Sequence, residues 1–103
     1  MRLKGKVAIV TGGGQGLGRG MSLQFAREGA KVAIAQRTQE KLTQTQADIE
    51  ALGGEVLPMA VDVSQPEQVE KLIDATVERF GGLDILVNNA GIGSWLPVDE
   101  VEE

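Results

Sequence analysis

The chain contains no cysteine, no histidine and no tyrosine. Without cysteine there are no disulfides and no thiolate metal sites, and thiols give no clue to redox compartment. Without histidine the commonest general base and the commonest metal ligand are both missing. A basic face is lacking too: the net charge is −5, which argues against a nucleic-acid partner. No apolar run approaches the roughly 20 residues of a membrane span. The basic start leads only to the short run Val7–Val10, whereas a secretory segment needs about 7–15 apolar residues. A cytoplasmic location with no membrane contact is expected. Proline is scarce, at 3 residues, but glycine is abundant, at 14, and the first thirty residues hold much of that surplus.

The 103 residues suit one small domain, and 42% apolar with 24% charged content is ordinary globular composition. Lys6 to Thr11 holds Val-Ala-Ile-Val, too short for a helix and β-branched enough for a buried strand. From Gly16 to Glu28, Leu17, Met21 and Phe25 recur at four-residue spacing and predict one helical stripe, with Gly29 placed to end it. Lys31 to Ala35 predicts the second strand. Leu42, Thr45, Ile49 and Leu52 predict a second helix face, closed by Gly53-Gly54. Glu55 to Val61 reads as a third strand, although Pro58 removes a ladder donor. Ser64-Gln65-Pro66-Glu67 predicts a capping box. Behind it Val69, Leu72, Ile73, Thr76, Val77 and Phe80 keep helical spacing until Gly81-Gly82. Asp84 to Val87 is the fourth strand.

Strands alternating with helices predict an α/β fold, a Rossmann-like doubly wound parallel sheet in the order β-α-β-α-β-α-β. Right-handed crossovers make 3-2-1-4 the leading strand order, with two helices on one face and the third on the other. The fourth strand is then expected to be an open edge. Residues 1–103 form the N-terminal part of a single such domain.

Thr11-Gly12-Gly13-Gly14-Gln15-Gly16-Leu17-Gly18 joins the first strand to the first helix. A flexible loop is the plain alternative. Glycines here, however, let the backbone approach a ligand, and a helix start favours phosphate. The spacing does not fit G-x-G-x-x-G, and no Gly-Lys-Ser/Thr is present, which rejects a P-loop. It fits T-G-x-x-x-G-x-G at Thr11, Gly12, Gly16 and Gly18. On these residues, and on Asn88-Asn89-Ala90-Gly91 after the fourth strand, the whole chain resembles the short-chain dehydrogenase/reductase family. The likeness is to NADP-dependent alcohol and ketone oxidoreductases such as 3-oxoacyl-acyl-carrier-protein reductases.

The resemblance implies that Gly12, Gly14, Gln15, Gly16, Leu17 and Gly18 line the adenosine ribose and pyrophosphate of a nicotinamide cofactor. It implies that Asp62 accepts a bond from the adenine amino group while the Val63 backbone meets the ring; an acidic turn residue is the alternative. It assigns Asn89, Ala90 and Gly91 to the cofactor's ribose and makes Asn88 a strand brace, a bland turn being the alternative. Gly20, inside the helix, costs about 1 kcal/mol relative to Ala, and close helix–sheet packing is the expected offset.

NAD-preferring relatives usually place an acid where Gln36 stands, and a carboxylate would repel a 2′-phosphate. Arg37 could pair with that phosphate, though a solvated arginine is the alternative. NADP(H) is expected over NAD(H), even though Gln15 stands where many NADP-using relatives carry a basic residue.

The family's Tyr, Lys, Ser and Asn of catalysis lie after Gly91. Tyr is absent, Ser94 is a loop serine, and Trp95 and Leu96 read as substrate contacts or as a hydrophobic plug. The catalytic C-terminal part is therefore expected to be missing. The complete enzyme is expected to be a homo-oligomer acting on an alcohol or carbonyl substrate, with 3-oxoacyl thioesters, sugars and small ketones all open. A non-catalytic nucleotide-binding module and an interaction fragment are the alternatives. Residues 1–103 alone are expected to reduce no carbonyl compound with NADPH above a buffer control in a spectrophotometric assay.

Overall fold

A computed structural model describes residues 2–88 and the backbone of 94–97. The elements are β1 (Val7–Thr11), α1 (Gly16–Arg27), β2 (Lys31–Gln36), α2 (Gln39–Ala51), β3 (Val56–Ala60), α3 (Pro66–Phe80), β4 (Ile85–Asn88) and β5 (Ser94–Pro97). The sheet order is β3-β2-β1-β4-β5. The first four strands pair in parallel, with Ile9 level with Ala33 and with Leu86. The expected 3-2-1-4 order is therefore present. One expectation fails: β4 is not an edge, because β5 pairs with it antiparallel, Val87 level with Trp95. Sequence reading missed β5, since four residues carry too little periodicity to mark a strand. Pro58 sits in β3, level with Ile34, on the outermost strand of the sheet, where a missing donor is tolerated.

Alternation along the strands sorts the core into two layers. Val10, Val32, Ile34, Val56 and Val87 pack with Ala26, Leu42 and Ile49 of α1 and α2. Ile9, Ala33, Ala35 and Val61 pack with Leu72 of α3 on the other face. All five residues of β1 are buried, as expected for a central parallel strand covered on both sides. Asp84 fixes its start: the Val7 N–H donates to Asp84 Oδ2 at 2.9 Å, and the Asp84 N–H donates to the Val7 carbonyl at 2.8 Å.

The first helix packs differently from its apolar stripe. Its buried residues are Gly18, Ser22 and Ala26, one position on from Leu17, Met21 and Phe25; Leu17 is 67% exposed. Small residues let the helix lie close to the sheet, and the Ser22 hydroxyl is satisfied by the Gly18 carbonyl at 2.8 Å. In α2, Leu42, Thr45 and Ile49 are buried as expected, but Leu52 is exposed because it lies past the helix end. Thr45 tolerates burial because Arg19 of α1 donates to its hydroxyl at 3.0 Å. The same guanidinium pairs with Asp48. Arg19, and after it Gln44, holds the Asp48 carboxyl below the ordinary carboxylate range.

The capping box does not form. Gln65, not Ser64, is the N-cap of α3, with no side-chain cap bond, because the Ser64 hydroxyl is committed to Asp62 Oδ1 at 2.7 Å. None of the three helices has a side-chain N-cap bond. A missing cap costs about 0.5–2 kcal/mol, whereas burying a Leu or Ile contributes roughly 1.5–3 kcal/mol. Complete burial of Leu42, Ile49 and Leu72 therefore outweighs the open termini.

The expected packing role of Gly20 is also overturned: among the described residues nothing lies within 4 Å of a Cβ built there. At Gly14 the same Cβ would meet the Lys41 carbonyl oxygen at 2.4 Å. Gly20→Ala is therefore expected to stabilise the fold by about 0.5–1 kcal/mol, and Gly14→Ala to destabilise it by about 1–3 kcal/mol, read from urea denaturation midpoints.

Candidate functional site

In a parallel sheet every helix that follows a strand begins at the strand's carboxyl end, so the loops of one end carry the site. Here the turn after β1, the end of β2 and the segment after β3 enclose an open groove of about 510 Å³. The first wall holds Gly12, Gln15, Gly16 and Leu17, the second Ala35, Gln36 and Arg37, and the third Val61 to Ser64.

The glycine turn is pinned from beneath. The Gly12 and Gly13 N–H groups both donate to the Ala35 carbonyl, at 2.7 and 3.2 Å, and the Gly14 N–H donates to Gln36 Oε1 at 3.0 Å. Gly12 and Gly16 take positive φ, 69° and 57°, which side-chain-bearing residues rarely adopt. Gly14 is needed for space instead, since it lies against the Lys41 backbone. Gln15, the residue before α1, leaves that helix uncapped, and the first-turn amides have no intrahelical acceptor. An anion at this point would meet free donors and the positive end of the helix.

Of the residues expected to contact a cofactor, Gly12, Gln15, Gly16, Leu17, Arg37, Asp62 and Val63 share the groove. Gly14 and Gly18 do not line it. Gly14 faces α2, and Gly18 is buried in α1; both shape the turn from behind. Asn89, Ala90 and Gly91 lie outside the described residues. Asn88 does brace the strands: Thr11 Oγ1 donates its proton to the Val87 carbonyl and Asn88 Oδ1 as a shared bond, each 3.2 Å away.

Three groove residues carry roles that local sequence patterns hide. Gln36 supports the turn through its Oε1. Gln68 of α3 accepts the Asp62 N–H at 2.8 Å and so fixes the third wall. Lys41 Nζ donates to Gln15 Oε1 at 2.6 Å across the turn. All three contacts join segments that only the fold brings together.

Asp62 forms a local turn in which Oδ1 accepts the Ser64 N–H at 3.0 Å and the Ser64 hydroxyl at 2.7 Å. The hydroxyl bond, then the amide bond, lowers the Asp62 carboxyl from its ordinary value, with a smaller push from Arg37. Oδ2 has no partner among the described residues, so an amino donor could still be accepted there. A depressed carboxylate stabilises the fold above its unfolded pKa, and that contribution is lost as pH falls through the folded pKa. Ser64→Ala should raise the Asp62 pKa toward the ordinary carboxylate value, measured by NMR titration; an unchanged pKa would contradict the assigned cause.

A short chain dehydrogenase profile matches residues 6–103. The chain is 40% identical over 103 residues to the short-chain dehydrogenase/reductase homolog YusS of Bacillus subtilis, covering 99% of this chain and 94% of that one. Among solved structures, it is similar to a short chain dehydrogenase from Burkholderia cenocepacia in complex with NADP, at 45% identity and TM-score 0.84 over 89% of this chain and 38% of that one. It is also similar to carveol dehydrogenase from Mycobacterium avium in complex with NAD, at 32% identity and TM-score 0.84 over 90% of this chain and 38% of that one. Against three other curated relatives the chain spans only 40%, 33% and 32% of their length. The profile match, the near-coextensive relative and the shared sheet together place this chain in the short-chain dehydrogenase family.

Proposed function

We propose that this chain is the cofactor-binding part of an NADP(H)-dependent oxidoreductase that moves hydride between a nicotinamide and the carbon of an alcohol or carbonyl compound. The observation that carries the choice of cofactor is the hydrogen bond from the Gly14 N–H to Gln36 Oε1. A backbone amide can only donate, so this bond fixes which way the Gln36 side chain points its two ends. The amide nitrogen is left as the end for a ligand. A carboxylate in this place could brace the same turn and would then offer an acceptor, suited to ribose hydroxyls. Glutamine offers a donor and carries no charge, which suits a phosphate. Arg37 stands next to it, exposed and without an ion pair among the described residues.

The groove fits the group on its other walls as well. Gly12, Gln15, Gly16 and Leu17, before an uncapped helix, would hold the adenosine ribose and diphosphate, with Gly14 and Gly18 setting the turn's shape. Asp62 and Val63 would hold the adenine, and Asn89, Ala90 and Gly91 are assigned to the cofactor by the family pattern. When bound, the nicotinamide supplies the hydride or accepts it. No Tyr, His or Cys stands in these residues, so the accompanying proton is assigned to groups outside them. The complete enzyme is read as a cytoplasmic homo-oligomer; no described helix is long and apolar enough to cross a membrane.

A second reading, a nucleotide-binding module without chemistry, draws on the near-coextensive Bacillus subtilis relative. A reading frame that continues into a Tyr-x-x-x-Lys segment would decide for the enzyme. For the cofactor, Arg37→Ala is expected to weaken NADP⁺ binding about tenfold, or about 1.4 kcal/mol, while changing NAD⁺ affinity less than about twofold. Titration calorimetry with both nucleotides reads this directly, and tighter NAD⁺ binding by the unaltered protein would overturn the assignment.

A further inference from the structure

The glycine turn lacks the basic residue that would mark a 2′-phosphate site, yet the fold supplies a cation at the same place from another element. Lys41, in the first turn of α2 (Gln39–Ala51), reaches back across the turn so that Nζ donates to Gln15 Oε1 at 2.6 Å. Gln15 itself lines the groove. The geometry points to Lys41 as a second phosphate-binding residue, one that acts beside Arg37 to select a 2′-phosphorylated nucleotide; this rests on the NADP(H) reading above.

Three observations support it. First, the lysine cannot easily leave. Its backbone carbonyl is packed under Gly14, where a Cβ would lie 2.4 Å away, so the stem starts at a fixed point beside the turn. Second, the charge is unspent. The Arg19–Asp48 pair is the salt bridge among the described residues, and Lys41 meets only a neutral amide oxygen. An ammonium has three donors, and one is used on Gln15. Third, the placement is electrostatically poor for an empty groove. Both Lys41 and Arg37 lie near the start of α2, and a cation at a helix N-terminus opposes the macrodipole. Thr38 gives that terminus no side-chain cap. A doubly charged phosphate would turn both the cations and the free amides into favourable partners.

The neighbouring acids do not compensate for these cations. Glu40, next to Lys41 in the first turn of α2, is exposed and forms no ion pair among the described residues. Asp62 feels Arg37 only weakly, behind its two bonds to Ser64. The site is thus a pair of cations from one short segment, Arg37 and Lys41, carried to the groove by the β2–α2 connection. Gln15 is the relay that holds the second of them in place.

The test compares NADP⁺ and NAD⁺ binding by calorimetry in the purified protein and in Lys41→Met, with circular dichroism to check that the fold is kept. Lys41→Met should weaken NADP⁺ about five- to tenfold and leave NAD⁺ within about twofold, because NAD⁺ lacks the 2′-phosphate. Lys41→Arg should retain most of the affinity. Returning the cation to the turn, in Lys41→Met with Gln15→Arg, should restore NADP⁺ binding. Equal weakening of both nucleotides would overturn the proposal, since Lys41 would then serve the shared diphosphate or the shape of the turn. So would no weakening at all in a folded variant, while an NADP⁺ preference that survives in Lys41→Met would leave the cofactor reading standing. A preference for NAD⁺ in the unaltered protein would overturn the cofactor reading itself, and Lys41 with it.

Discussion

The site depends on a single constraint, the tethering of the glycine turn to the end of the second strand. Three successive amides, from Gly12, Gly13 and Gly14, find their acceptors there: two on the Ala35 carbonyl and one on the Gln36 side chain. Parallel pairing of β1 with β2 places Thr11 level with Ala35, so the strand register alone delivers these acceptors. With its inner amides held from beneath, the turn keeps the first amides of α1 turned to the groove. A slip of one residue would put every side chain of β1 on the wrong face, and would move the acceptors away from the turn. Fold and site are therefore fixed by the same pairing.

The architecture was largely legible in the sequence because its signals are local. Val7–Val10 and Val32–Ile34 are short apolar runs between glycines, and α3 follows its spacing from Val69 to Phe80. Where reading failed, the cause was a partner far along the chain. Thr45 looks like a blemish on an apolar face until Arg19 is seen to bond its hydroxyl. Ser64 has every mark of a cap, yet Asp62, two residues earlier, captures its hydroxyl. The α1 stripe was read one position off because size, not hydrophobicity, decides which face can approach the sheet. Gly18, Ser22 and Ala26 are small enough; Leu17 is not.

The candidate site was legible in outline for the same reason. T-G-x-x-x-G-x-G and the residues Gln36, Arg37, Asp62 and Val63 are sequence-visible, and the fold brings most of them to one groove. What spacing could not reveal is the division of labour among the glycines. Gly12 and Gly16 are required by their positive φ, Gly14 by the nearness of Lys41, and Gly20 by nothing within reach. Nor could it show that Gln36 spends its oxygen on the turn, which turns a merely neutral residue into an oriented donor. The Lys41–Gln15 contact joins residues 26 apart and has no local signature.

The charge of the whole chain and the charge of the groove point in opposite directions. At −5 the protein repels a dinucleotide at long range, and that repulsion fades beyond about 8–10 Å in physiological salt. Attraction must come from groups inside that distance. The three helices that begin at this end of the sheet all lack side-chain caps, so each keeps a partial positive charge of about half a unit at its start. Those termini cannot be neutralised by reshuffling surface charges, because they belong to the backbone of a doubly wound fold. Selectivity between nucleotides has to be added by side chains, and it falls to the short stretch where β2 hands over to α2. Changing the cofactor therefore requires altering a few residues there, while the parallel sheet and the glycine turn stay as they are.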